Sequence, residues 1–325
     1  MKPIYLITAN GEDITSKLKG RLQSASIVDA DGESADTLQL DLVDSPSLEI
    51  PGVGAELHVE LGYRETGLTD MGLYISDSVE TDGPPDKIKI GAAAAAFAQS
   101  STYKRLQDKQ TRSWEPGTLG VVAKTIASEH GLEAKFNGDT ESISLPHMDQ
   151  TSESDISFLH RIADKHDVVT KISYGLLTLA VKGDNSTATG KTLPTIKLKL
   201  SDLSTYSTKQ KEKVIYDTVK AYYHDTESAE TEEVSVGTGQ NSTEIKGLQE
   251  NEFTAKQVAK TELAKYQRKG LSGRISMAGR TDITSGSPIE ITDGKKPLKG
   301  SWKAVKVTHN FGDSGWSISV ELESA

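Results

Sequence analysis

The chain contains no cysteine, and aromatic side chains make up only 6% of it. Without thiols there can be no disulfide, no thiolate zinc site and no cysteine nucleophile. Such a chain was not built for an oxidising compartment. Basic residues are in deficit: 37 Lys and Arg stand against 47 Asp and Glu, a net charge of −10. No general positive field is available to hold nucleic acid. No apolar run is long enough to span a bilayer, so no membrane partner is expected. Met1-Lys2-Pro3-Ile4 reads as the start of a strand rather than a secretory leader.

What is present is a charged, globular composition over 325 residues, a length that points to two or three domains. From Lys2 to about residue 99 the text alternates apolar and polar residues. Thr37-Leu38-Gln39-Leu40-Asp41-Leu42 and Ala55-Glu56-Leu57-His58-Val59-Glu60-Leu61 do so without a fault, as do Met71 to Ile75 and Asp86 to Ile90. Clean alternation places one strand face on a core and the other against water or a partner, and many such strands at short spacing predict a small barrel. The alanine run Ala92 to Ala96 reads as a strand end passing into a short helical turn.

Residues 100–183 are mixed. Leu119, Val122, Ala123 and Ile126 keep helical spacing, and Gly131-Leu132 supplies a glycine C-cap. Ala134 to Phe136 and Ile143 to Leu145 read as short strands. In Gln150-Thr151-Ser152-Glu153-Ser154-Asp155, Ser152 with Asp155 three residues on has capping-box spacing, and Ile156, Leu159, Ile162 and Ala163 share one face. Val168 to Ser173 and Leu176 to Val181 then form a hairpin around Tyr174-Gly175. This segment is expected to be a small α/β domain. Residues 184–325 return to strands after a polar linker at Gly183 to Gly190. They include an acidic exposed loop at about 225–251, a helix at about 254–269, and a closing hairpin from Trp302 to Leu322. The expected architecture is mainly β with a smaller α/β part, in three domains: 1–99, 100–183 and 184–325.

Several stretches resemble chemical sites. Gly312-Asp313-Ser314-Gly315 looks like a protease nucleophile loop, but His309 on the preceding strand would not reach Ser314, and the stretch is an ordinary hairpin turn. Glu153 and Asp155 could be a glycosidase pair, yet helix capping accounts for both. His160 and His166 are six apart and point to nearly opposite helix sides, so with His147 they make no zinc grip. Asp29-Ala30-Asp31-Gly32-Glu33 lacks the far ligand of a calcium loop, and Gly52-Val53-Gly54 lacks the context of a nucleotide loop. No catalytic, cofactor-binding or metal residues are assigned.

Gln150 to Asp155 followed by Phe158-Leu159-His160-Arg161-Ile162-Ala163 resembles the signature of the phage late control D proteins, the tail hubs of contractile-tailed phages. R-type pyocin hubs and the base of type VI secretion spike proteins are related to them. Thr118-Leu119 with Ile126 to Leu132, and Gly300-Ser301-Trp302 through His309 with Gly315-Trp316, are similar to flanking parts of that family. The resemblance implies two tube-protein-like β-barrels flanking an α/β portion, in a homotrimeric ring. Such a ring is a symmetry adaptor between a hexameric tail tube and a trimeric central spike, with no enzymatic activity and no cofactor. Tape-measure and baseplate wedge proteins are further expected partners, with genomic DNA only in transit. The location implied is the virion tail, after synthesis in the bacterial host cytoplasm. If carboxylates face the channel they would repel phosphate. Two other functions compete: a tail-tip peptidoglycan hydrolase with Glu153 as general acid, and a carbohydrate-binding β protein. Against the latter, Trp114, Trp302 and Trp316 are scattered.

Overall fold

The computed structural model describes residues 2–30, 36–49, 51–94, 106, 108–173, 176–181, 194–210, 216–224, 230–249, 251–268, 271–313 and 315–324. The expected turn at residues 174–175, the linker at 183–190, the far half of the calcium-like loop and Ser314 lie outside these residues.

The alternating N-terminal text forms β1 (Pro3–Ala9), β2 (Glu12–Asp13), β3 (Leu22–Ala30), β4 (Thr37–Val43), β5 (Glu56–Tyr63), β6 (Gly67–Asp82) and β7 (Lys87–Ala94). A single helical turn, α1 (Thr15–Leu18), follows β2. The apolar half of each alternation (Ile7, Leu38, Leu40, Leu42, Leu57, Val59, Ile88, Ile90) is buried in one core. Each fully buried Leu or Ile side chain contributes about 1.5–3 kcal/mol, so the pattern itself sets which face folds inward.

The central segment comprises β8 (Lys109–Trp114), β9 (Gly117–Thr118), α2 (Leu119–Glu129), β10 (Glu133–Phe136), β11 (Ser144–Leu145), β12 (Met148–Ser154), α3 (Asp155–Lys165), β13 (Val168–Ser173) and β14 (Leu176–Val181). The glycine cap of α2 forms as expected. Gly131 has φ +70°, and the N–H of Leu132 reaches back to the Ala127 carbonyl at 2.8 Å, the Schellman pattern. Both helices pack on β10–β14–β13 around Leu119, Ile126, Phe158, Leu159, Ile162, Leu177 and Leu179.

The remaining strands are β15 (Ile196–Leu198), β16 (Thr205–Gln210), β17 (Thr218–His224), β18 (Thr231–Gly237), β19 (Ser242–Gln249), β20 (Leu271–Ala278), β21 (Pro288–Ile291), β22 (Gly300–Gly312) and β23 (Gly315–Ser324), with α4 (Glu252–Arg268) before β20. The acidic stretch expected as a loop within the last domain is instead largely ordered. β18 and β19 flank β17, and α4 covers that sheet through Ala255, Ala259 and Leu263 against Val219 and Ala221. The unit has its own small core. Its strands carry few apolar residues because only one face is covered, and that face is met by alanines.

The N-terminal and C-terminal β modules are one object. Thirteen strands form a single sheet, through which runs β16-β20-β23-β22-β3-β4-β7-β6-β5-β1. The joint is β22: Gly300–Lys303 pair with β21, while Lys306–Phe311 pair with β3. Directly opposed residues of an antiparallel pair point to one face. Phe311 faces Ala25 and His309 faces Ile27, so both modules bury the same side of the continuous sheet.

Candidate functional site

The most densely connected polar group in the described structure sits where α2 ends and α3 begins. α3 starts later than its sequence suggests. Ser152 has φ +49° and lies in a register shift between Gln150 and Glu153 of β12. That bulge absorbs the expected cap, and Ser154 accepts from the Ser157 N–H instead. Asp155 therefore occupies the first turn of α3 and is 1% exposed, a favourable place for a carboxylate. It does more than cap. Its Oδ1 accepts from Arg112 Nη2 and from Gln150 Nε2, each at 2.7 Å, and its Oδ2 lies 2.8 Å from His130 Nε2.

Arg112 is the hub of this network. Its Nη1 meets both Glu129 oxygens at 2.8 and 3.0 Å, its Nε donates to Gln150 Oε1 at 3.0 Å, and it lies 4.4 Å above the Trp114 ring. Trp114 donates to the same Gln150 oxygen and stacks on Phe158 at 5.7 Å. Among the described residues, Glu129, His130 and Asp155 alone bring three metal-ligating atoms within 4.8 Å of one another. The guanidinium already stands between the two carboxylates and supplies the compensating cation. The arrangement locks three elements together. Arg112, Glu129 and His130 were not singled out in the sequence, since no spacing links them to Asp155.

The other sequence candidates are dispersed. Glu153 is held by Arg161, whose Nη2 approaches at 2.8 Å. His147 lies 3.5 Å from Asp149 near the surface, and burial lowers the pKa of His166. Asp313 ties the last hairpin down, accepting from Tyr5 Oη at 3.2 Å and from the Gly20 N–H at 2.7 Å. His309 is buried against Trp316, and burial pushes its imidazole down to about 4.

A second polar cluster fastens the central segment to both β modules. Lys171 of β13 lies 3.2 Å from Asp29 of β3 and 3.8 Å from Asp36, and Asp29 also accepts from the Ser285 N–H at 2.7 Å and from its hydroxyl. Burial works against the charge on Asp29, but Lys171 and Ser285 outweigh it and hold its carboxyl below the usual range. Asp36 goes the other way: burial, with Asp29 beside it, pushes its carboxyl up to about 6. A raised carboxyl binds its proton more tightly in the folded state, so its penalty grows as pH rises from about 4 to about 6 and is full above that. Asp36→Asn is expected to unfold at higher urea than the wild type at pH 7, with the advantage shrinking as pH falls through 6 and gone by about pH 4. Urea midpoints across this range test it, and an advantage independent of pH would refute it.

The sequence profile of the "Phage tail baseplate hub (GPD)" family matches residues 97–315. The chain belongs to this family. It is similar to the probable baseplate hub proteins of Escherichia phage P2, at 29% identity, and of Escherichia phage 186, at 28%. Each alignment covers 99% of this chain and 93% of the phage protein. In fold it is similar to the 43 kDa tail protein of prophage MuSo2 from Shewanella oneidensis, with a TM-score of 0.72 at 11% identity, covering 99% of this chain and 98% of that one. In this member of the baseplate hub family, the signature residues Gln150, Asp155 and Phe158 are 0%, 1% and 0% exposed. Their work is to hold α2, α3 and β8 in one arrangement.

Proposed function

We propose that three copies of this chain close into a ring that joins a hexameric tail tube to a trimeric central spike. The observation that carries the reading is the β3–β22 joint, which sets two β modules side by side with the same face buried. Three chains with two such modules each present six, the number a six-fold tube requires, while the ring keeps the three-fold symmetry of a spike. The role is assembly rather than turnover, and the virion tail is its place. Tape-measure and wedge proteins would contact the same ring, and DNA would pass through it without adhering to an acidic wall.

Light scattering on the purified full chain tests this directly. Three chains of 35.0 kDa give a particle of about 105 kDa. A stable dimer or tetramer would contradict the ring.

A further inference from the structure

The two β modules repeat each other strand for strand. β16-β20-β23-β22 run in the order that β3-β4-β7-β6 run, and every pairing in both series is antiparallel. Each series ends on its longest strand, β6 with 16 residues and β22 with 13. Each long strand carries a bulge at the corresponding place, between Ser76 and Ser78 against β7 and between Ala304 and Lys306 against β23. Aligned on these bulges, buried Tyr74 and Ser76 fall on buried Trp302 and Ala304. Before the bulge each long strand takes a shorter antiparallel partner on its other edge, β5 as far as Ile75 and β21 as far as Lys303.

What differs is the edge beyond the bulge. In β22 it is filled, since Lys306–Phe311 pair with β3 of the other module. In β6 the equivalent residues Ser78–Asp82 have no strand on that edge among the described residues. The outer edge of β16, the counterpart of β3, is equally unpaired among them. Bare edges of this kind are templates for another chain. Six strands lie between the two within one chain.

We infer that these vacant edges meet between copies: β16 of one chain pairs, antiparallel, with Ser78–Asp82 of the next, repeating between chains the joint that β22 makes with β3 within one. The contact is head-to-tail, the kind that closes into rings, and the inference rests on the ring proposed above. The strand directions agree, because β16 and β6 run opposite ways along the alternating path.

The register also follows. Within the chain, Thr308 faces Val28 and His309 faces Ile27. Counting along the ladders, Thr308 corresponds to Glu80 and His309 to Thr81, while Val28 corresponds to Lys209 and Ile27 to Thr208. Glu80 of one copy therefore faces Lys209 of the next, and Thr81 faces Thr208. Glu80 and Lys209 are both exposed in the single chain. Opposed opposite charges favour the pairing, and a like pair would disfavour it.

The absence of cysteine makes the test clean. Full-length chains carrying Glu80→Cys with Lys209→Cys, or Thr81→Cys with Thr208→Cys, are oxidised and run on non-reducing gels beside light scattering. At least one pair is expected to give covalent species up to the trimer, and no single-cysteine chain should. Glu80→Lys alone is expected to weaken each joint about 5-fold, with Lys209→Glu restoring it. Trimers by light scattering with no covalent product from either pair would overturn this joint and leave the ring standing. No association with no covalent product would overturn both.

Discussion

Replacing Asp155 by alanine is expected to destabilise the central segment by about 3–5 kcal/mol, the effect of removing one partner from a buried ion pair. Three groups meet this carboxylate. Arg112 would keep Glu129 but lose the partner at its Nη2. Gln150 Nε2 would retain only the Glu153 carbonyl. His130 would suffer most. Its Nδ1 is already buried without a partner among the described residues, and loss of the Asp155 contact would strip Nε2 as well. Asp155→Asn separates charge from hydrogen bonding. An amide keeps an acceptor for Arg112 and a donor for His130, so about 1–3 kcal/mol is expected. Because the chain contains several cores, one global midpoint is a poor readout. Hydrogen exchange across residues 109–181 is the better one. An alanine variant whose exchange there matches the wild type would show that the network is ornamental.

The strands and both long helices of the α/β part were legible because each depends on a local rule. Leu38-Gln39-Leu40-Asp41-Leu42 can bury only one face, and Gly131 can take a φ of +70° without strain. The start of α3 was misplaced because two serines compete for the cap. The choice falls to Ser154 through a bulge stabilised from outside the segment, where Thr111 accepts from the Ser152 N–H at 3.1 Å. The Arg112 network was illegible for a related reason. β8, the end of α2 and the start of α3 meet only after folding, and Asp155 looked fully explained by its helix. The sheet of β17 to β19 was hidden by composition. Val234, Val236 and Ile245 are its only apolar contributions from those two edge strands to the small core, too few to stand out among glutamates. The module repeat shows in pairing and burial, while positions such as Gly91 and Glu321 share a place in the ladder and nothing else.

A large effect from adding a single methyl group is expected at Gly279, on the seam between the modules. A Cβ there would sit 2.0 Å from Cδ2 of Trp316, far inside van der Waals contact, and the indole has little freedom to retreat. Tyr63 lies against it at 5.1 Å between ring centroids and His309 at 6.0 Å. The backbone is tied on the same side, with the Gly279 N–H donating to the Trp316 carbonyl at 3.0 Å and the Gly279 carbonyl accepting from Tyr63 Oη at 2.7 Å. Gly279→Ala must therefore tilt the indole off Tyr63 or break the link from β5 to this segment, and about 3 kcal/mol is expected, the upper part of the range for overpacking. Trp316→Leu alone should also destabilise, by opening a void in the first core. Together the two changes should destabilise less than their sum, because the smaller side chain makes room for the methyl. Urea unfolding of the two single variants and the double variant measures that coupling. Additive losses would mean that the alanine acts through the backbone, and that the contact with Trp316 is not what requires glycine at this seam.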